Sequence, residues 1–239
     1  MADSTRIVFI HGTFCGCEFT GFQDDCKSDG GFISLRPFIL NKQAKLFYWA
    51  RIEKKYNFLQ SCNPFVLSGI FRSELDYIQT REAVYNLHVF LENEQPDIVV
   101  AHSLGCHYLL NMINEYSLPK SVTSIYTLLS EFPYKKQLVD VNTLENLKNN
   151  ELSWDNYHCF YDPTLISSMF ISGQIPAGLR KWRQPFVKNH LYFEIPSGNP
   201  HTHILRNRKF VNKFKQSRNN LNVRMGQMVN NKKAQPRIK

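Results

Sequence analysis

Short, unbroken apolar runs alternate with stretches of helical period along this chain. Residues 6–10 (RIVFI) are apolar throughout after Arg6 and too few to make a helix. Such a run suits a strand buried on both faces. Runs at 45–50 (KLFYWA), 97–101 (DIVVA), 122–129 (VTSIYTLL), 157–161 (YHCFY) and 190–195 (HLYFEI) predict five more strands. Between them, residues 74–93 set Leu75, Ile78, Val84, Leu87, His88 and Leu91 on one helical stripe. Residues 104–116 continue helically after the third strand, and 207–216 set Phe210, Val211 and Phe214 on one face. This alternation predicts an α/β fold with a mostly parallel sheet of about six strands and helices on both faces. Residues 14–44 and 52–72 lack a period and hold Gly16, Gly21, Gly30, Gly31, Pro37, Pro64 and Gly69, so they read as loops with short helices.

Composition narrows the class. A chain of 239 residues, 43% hydrophobic and 21% charged, can bury a sizeable core, which excludes a disordered or collagenous protein. No apolar run approaches the ~20 residues of a membrane-spanning helix. The N-terminus lacks a basic start followed by an apolar signal core, so it reads as an unexported terminus and a cytoplasmic location is expected. Six cysteines are ordinary usage there. Cys15, Cys17 and Cys26 lie close together, but no His/Cys pair follows at zinc-finger spacing, and free thiols are the simpler reading.

Charge is unevenly placed. The net +9 comes from 29 basic and 20 acidic residues, yet residues 206–239 alone hold eleven Lys/Arg and no acid. The preceding residues therefore carry 18 basic against 20 acidic groups. The basicity belongs to the C-terminal end rather than to the fold. Residues 1–216 are expected to form one domain and 217–239 a basic, flexible tail, with too few apolar side chains for a core. Residues 206–239 are either a solvated end or a weak contact for an anionic surface. Only Phe210 and Phe214 interleave the positive charges, so no specific nucleic-acid binding is expected.

Two turns carry the chemistry. The third strand ends in Ala101-His102-Ser103-Leu104-Gly105 and runs straight into a helix. Small residues two before and two after a serine allow a sharp strand-to-helix turn that lifts the hydroxyl above the sheet edge. The first strand ends in His11-Gly12-Thr13. Together, the His-Gly turn, the A-H-S-L-G turn and a late histidine resemble the α/β-hydrolase family over about residues 6–216. The chain begins at the strand bearing the His-Gly turn, so the resemblance implies a minimal six-stranded version.

The same resemblance implies a catalytic order of serine, then acid, then histidine. Ser103 is then the nucleophile, and the backbone N–H groups of Leu104 and of Thr13 (or Phe14) form an oxyanion hole. His11 orients the loop. Asp162, in Tyr161-Asp162-Pro163 just after the expected fifth strand, is the acid, with Glu131 after the fourth strand as the alternative. In a different reading, Asp162 is an ordinary turn residue before proline. His201, in the turn-rich Ser197–His203 segment, is the base, and His203 is its alternative. His102 and His107 are expected to pack or cap, and His88, His158 and His190 to be core or surface histidines. Residues 131–155 and the apolar, loop-broken 164–187 are the two segments able to cover a site, the latter as a helix packed on the sheet or as a pocket wall. Phe14, Phe19 and Phe22 are further pocket candidates.

The activity so implied is hydrolysis of carboxylic esters, lipids among the candidate substrates, by a serine hydrolase without metal or organic cofactor. Thioester cleavage, acyl transfer and peptide hydrolysis are alternatives on the same fold. A non-catalytic module that binds an anionic partner through its tail is the alternative of another class.

Overall fold

A computed structural model describes residues 6–12, 32, 35–47, 77–193, 200–207, 210–216, 219 and 223. Its centre is a six-stranded sheet: β1 (Ile7–Ile10), β2 (Ala44–Phe47), β3 (Ile98–His102), β4 (Ser124–Leu128), β5 (Ser153–His158) and β6 (Lys188–Leu191). The order across the sheet is β2-β1-β3-β4-β5-β6, and every neighbouring pair is parallel. The fold is therefore α/β, as the alternation of runs predicts.

Helices cover both faces because successive strand residues point to opposite sides. Val8, Ile10, Val99, Ala101, Ile125 and Trp154 face one core. That core is closed by α2 (Tyr77–Glu94), α3 (Leu104–Tyr116) and α4 (Val141–Lys148) through Leu87, Leu109 and Leu147. Ile7, Phe9, Ile98, Val100, Tyr126 and Tyr157 face the other. There the covering elements are α1 (Arg36–Leu40), α5 (Pro163–Ser172), α6 (Pro200–His203) and the helical residues 210–216. Phe214 fills that second core, its ring meeting those of Phe38 and Tyr126. Helix α3 spans the predicted 104–116.

Several boundaries differ from expectation. The fifth strand starts at Ser153, four residues before the predicted run, and ends at His158. Its SWDNYH sequence is half polar, yet Asp155 and Asn156 are buried. Cross-strand partners make this possible: Thr127 Oγ1 donates to Asn156 Oδ1 at 2.9 Å, and Asn156 Nδ2 donates to Asn189 Oδ1 at 3.0 Å. Buried polar groups so satisfied cost little, and an apolarity pattern cannot see them. The sixth strand ends at Leu191, leaving Tyr192 and Phe193 beyond it. Residues 131–155 are not a loose cover, since Phe132, Leu138, Leu147 and Leu152 are buried in the first core. Within 164–187, α5 packs on the sheet through Leu165, with Ile166 and Met169 partly buried. Among the described residues no helix is long and apolar enough to cross a membrane.

The topology also selects a location. After β1 the chain steps to one side for β2, then crosses to the other side of β1 for β3. The loops leaving β1 and β3 therefore diverge at the carboxyl edge of the sheet. Such a switch point is where open α/β sheets leave a crevice.

Candidate active site

Both turns singled out in the sequence leave the sheet at this switch point. Ser103 follows β3 with φ 54° and ψ −124°, a region that side chains with a Cβ rarely adopt. Its N–H donates to Leu128 O at 2.9 Å, and its C=O accepts from Glu131 N at 3.2 Å, so β4 and its loop hold the turn in place. Gly105 is required by close approach: a Cβ there would lie 2.4 Å from His11 O and 2.7 Å from Ile10 O. Gly12 is equally confined, because a Cβ would meet Ser103 Cβ at 2.7 Å. The His-Gly turn thus packs directly against the serine.

The serine, histidine and acid candidates meet. Ser103 Oγ lies 2.8 Å from His201 Nε2, and His201 Nδ1 donates to Asp162 Oδ2 at 2.7 Å. All three residues are buried, with Asp162 at 0% exposure. With Nδ1–H given to the carboxylate, the Nε2 lone pair faces the hydroxyl. Burial by itself disfavours the imidazolium, but the charge and hydrogen bond of Asp162 outweigh it and raise the His201 pKa above 6.5.

Asp162 does not follow β5 directly. Cys159–Tyr161 intervene, and Asp162 is the N-cap of α5, its Oδ1 accepting from Thr164 N and Leu165 N. The ordinary turn role and the contact with His201 therefore coexist on one carboxylate. His203 is directed elsewhere, with its Nδ1 2.6 Å from the Tyr192 hydroxyl.

Leu104 opens α3, so its N–H has no acceptor within the helix and stands beside Ser103. Thr13 lies outside the described residues, as do Phe14, Phe19, Phe22, Cys15, Cys17 and Cys26. Most of 217–239 also lies outside them.

Two contacts were not foreseen. His102 donates Nε2–H to the carbonyl of His201 at 2.9 Å, tying the strand that carries the serine to the helix that carries the base. Burial, then the neighbouring His201, lowers its pKa to about 3, so it remains neutral. Glu131 places Oε1 3.3 Å from Ser103 Oγ. The sequence offers it as the alternative partner of the base, but it faces the nucleophile instead. His11 donates Nδ1–H to the carbonyl of its own turn, Gly12 O, at 2.6 Å. His190 contacts Asp155 Oδ1 at 2.5 Å on β5, with Lys213 Nζ 2.8 Å from the same oxygen.

The arrangement provides a hydroxyl, a base in hydrogen-bond reach of it, and a carboxylate orienting that base. No known protein-family profile and no curated protein matches the chain. Among solved structures it is similar to a lipase-esterase related protein from Clostridium acetobutylicum ATCC 824, at 13% sequence identity and a TM-score of 0.47, over 91% of this chain and 96% of that one.

Proposed function

We propose that this chain is a serine hydrolase acting on carboxylic esters. The observation that carries the reading is the hydrogen-bonded series Asp162–His201–Ser103 at the switch point. Ser103 Oγ attacks the acyl carbonyl carbon while its proton passes to His201 Nε2. Asp162 holds the imidazole in the required orientation and offsets the imidazolium charge. The tetrahedral oxyanion is met by the N–H of Leu104 and, from the first turn, that of Thr13. Collapse expels the alkoxide, which takes the proton from His201 and leaves as the alcohol. Water then attacks the acyl-enzyme by the same route, with His201 as base.

The test is covalent labelling by a fluorophosphonate together with turnover of a small soluble ester. Ser103 is expected to carry the label, and Ser103→Ala to lose ~10³-fold or more in kcat. Imidazolium cannot accept the serine proton, so on the acid side the rate should rise with pH. The midpoint should lie above 6.5, because the His201 pKa is raised. Wild-type rates in a folded Ser103→Ala protein, or label on another residue, would defeat the reading.

A further inference from the structure

Glu131 has a place of its own in this site. It follows β4, where Leu129 is held at φ 48°. Gly178 packs so tightly on that bend that a Cβ would lie 2.6 Å from both Leu129 C and Ser130 N. The bend is further tied by Gly178 N–H to Ser130 O at 2.7 Å and by Glu131 N–H to Ser103 O at 3.2 Å. The carboxyl is thus brought to the nucleophile by backbone contacts on both sides of the loop.

Ser103 has one hydroxyl proton and two acceptors in reach, His201 Nε2 at 2.8 Å and Glu131 Oε1 at 3.3 Å. If Glu131 is a carboxylate, it competes with the base for that proton. If it is the neutral acid, its own proton can be donated to a serine lone pair, and the serine proton is left to His201. We propose that Glu131 is a further catalytic residue that acts on Ser103 as a neutral acid, donating Oε1–H to Oγ and so directing the serine proton to His201. This rests on the serine-hydrolase reading above.

The surroundings favour the neutral form. Burial raises the Glu131 pKa, and the nearby Asp162 charge adds to it, while His201 and the Ser103 contact oppose. Among the described residues, the titratable groups bearing on Glu131 are His201 on α6, Asp162 at the start of α5 and Cys106 on α3. Burial pushes the Cys106 thiol up to about 12, so it stays uncharged.

The consequence is a particular pH profile. The reactive form holds one proton between Glu131 and His201, and holds it on Glu131. Acid adds a second proton, to His201, and base removes the one on Glu131. The pair titrates as a unit, so acylation should rise and then fall with pH. A glutamine can donate its amide N–H to Ser103 at every pH.

The experiment is the rate of Ser103 labelling by an uncharged fluorophosphonate across pH, in the wild-type protein and in Glu131→Gln. The expected result is a bell in the wild type and a rise to a plateau in the variant, with the alkaline fall absent. A purely structural role would scale the rate and keep the shape. The proposal is overturned if both proteins show the same profile. A wild type that never labels at Ser103 would instead defeat the serine-hydrolase reading. Should Glu131→Gln not fold, infrared spectra of wild-type protein carrying isotope-labelled glutamate serve instead. At neutral pH, where exposed glutamates are ionised, a protonated-carboxyl band should be present and should vanish over the pH range of the alkaline fall, and its absence at neutral pH would overturn the proposal.

Discussion

Asp162 divides its two oxygens between stability and chemistry. Oδ1 caps α5 through Thr164 N and Leu165 N, while Oδ2 accepts from His201 Nδ1. Substitutions can separate these roles. In Asp162→Asn the amide oxygen can still cap, and asparagine is as good an N-cap as aspartate, so stability should stay within about 1 kcal/mol. Its NH2 group cannot accept the Nδ1 proton, which drives His201 into the other tautomer and turns an N–H toward Ser103. A loss of ~10⁴-fold in kcat is expected. Asp162→Ala should add a capping loss of ~0.5–2 kcal/mol. Denaturant unfolding beside ester turnover checks both, and an Asn variant that is destabilised yet fully active would reverse the assignment.

Contacts between elements hold these residues in register. Helix α3 begins immediately after Ser103 and crosses β1 at Gly105, where the backbones of Ile10 and His11 leave no room for a Cβ. Gly105→Ala would favour an isolated helix by up to ~1 kcal/mol. In this fold the methyl would press on two carbonyl oxygens that cannot rotate away. Net destabilisation of ~1–3 kcal/mol is expected, the scale of overpacking. The same displacement should move the His-Gly turn away from Ser103 and slow its labelling. Thermal unfolding and labelling rate are the measurements, and a more stable, equally reactive Ala variant would refute this account. At the other end of the second core, helix 210–216 is pinned to the sheet through Phe214 and through Lys213, which donates to Asp155 on β5.

For the molecule as a whole, buried histidines set the response to acid. Burial lowers His11 to about 4 and His102 to about 3, while an unfolded histidine titrates near 6.5. Their contribution to stability is complete above 6.5 and is lost as pH falls toward those values, because the unfolded chain takes up protons that the folded one refuses. Two other groups behave differently. His201, with its pKa raised, is protonated in both states in that range and adds little slope. Glu131, also raised, opposes the trend. The comparison that isolates one group is His102→Gln, whose amide can still donate to the His201 carbonyl. Between pH ~7 and ~5 its melting temperature should fall less steeply than that of the wild type. Parallel slopes would show that His102 does not carry this share.

The architecture was legible because strands buried on both faces are largely apolar, and β1, β3 and β4 leave that mark in IVFI, IVVAH and SIYTL. Helix α3 was legible to the residue, since it starts at the serine turn and spans the expected 104–116. Ser103 sits in a turn whose small neighbours are a local property of the chain, whereas Asp162 and His201 were reached through the resemblance and the order of serine, acid and histidine that it implies. What pairing decides was not legible. Strand β5 lies upstream of its apolar run because Asp155 and Asn156 find partners on β4, β6 and the last helix, none of them near in sequence. That Glu131 meets the serine rather than the base follows from β3 and β4 being parallel neighbours, which sets their carboxyl-end loops side by side. That His102 holds the backbone of His201, 99 residues away, depends on α6 folding back over the end of β3. Periodicity and spacing report what each segment buries. Only the tertiary structure decides which polar group each segment then faces.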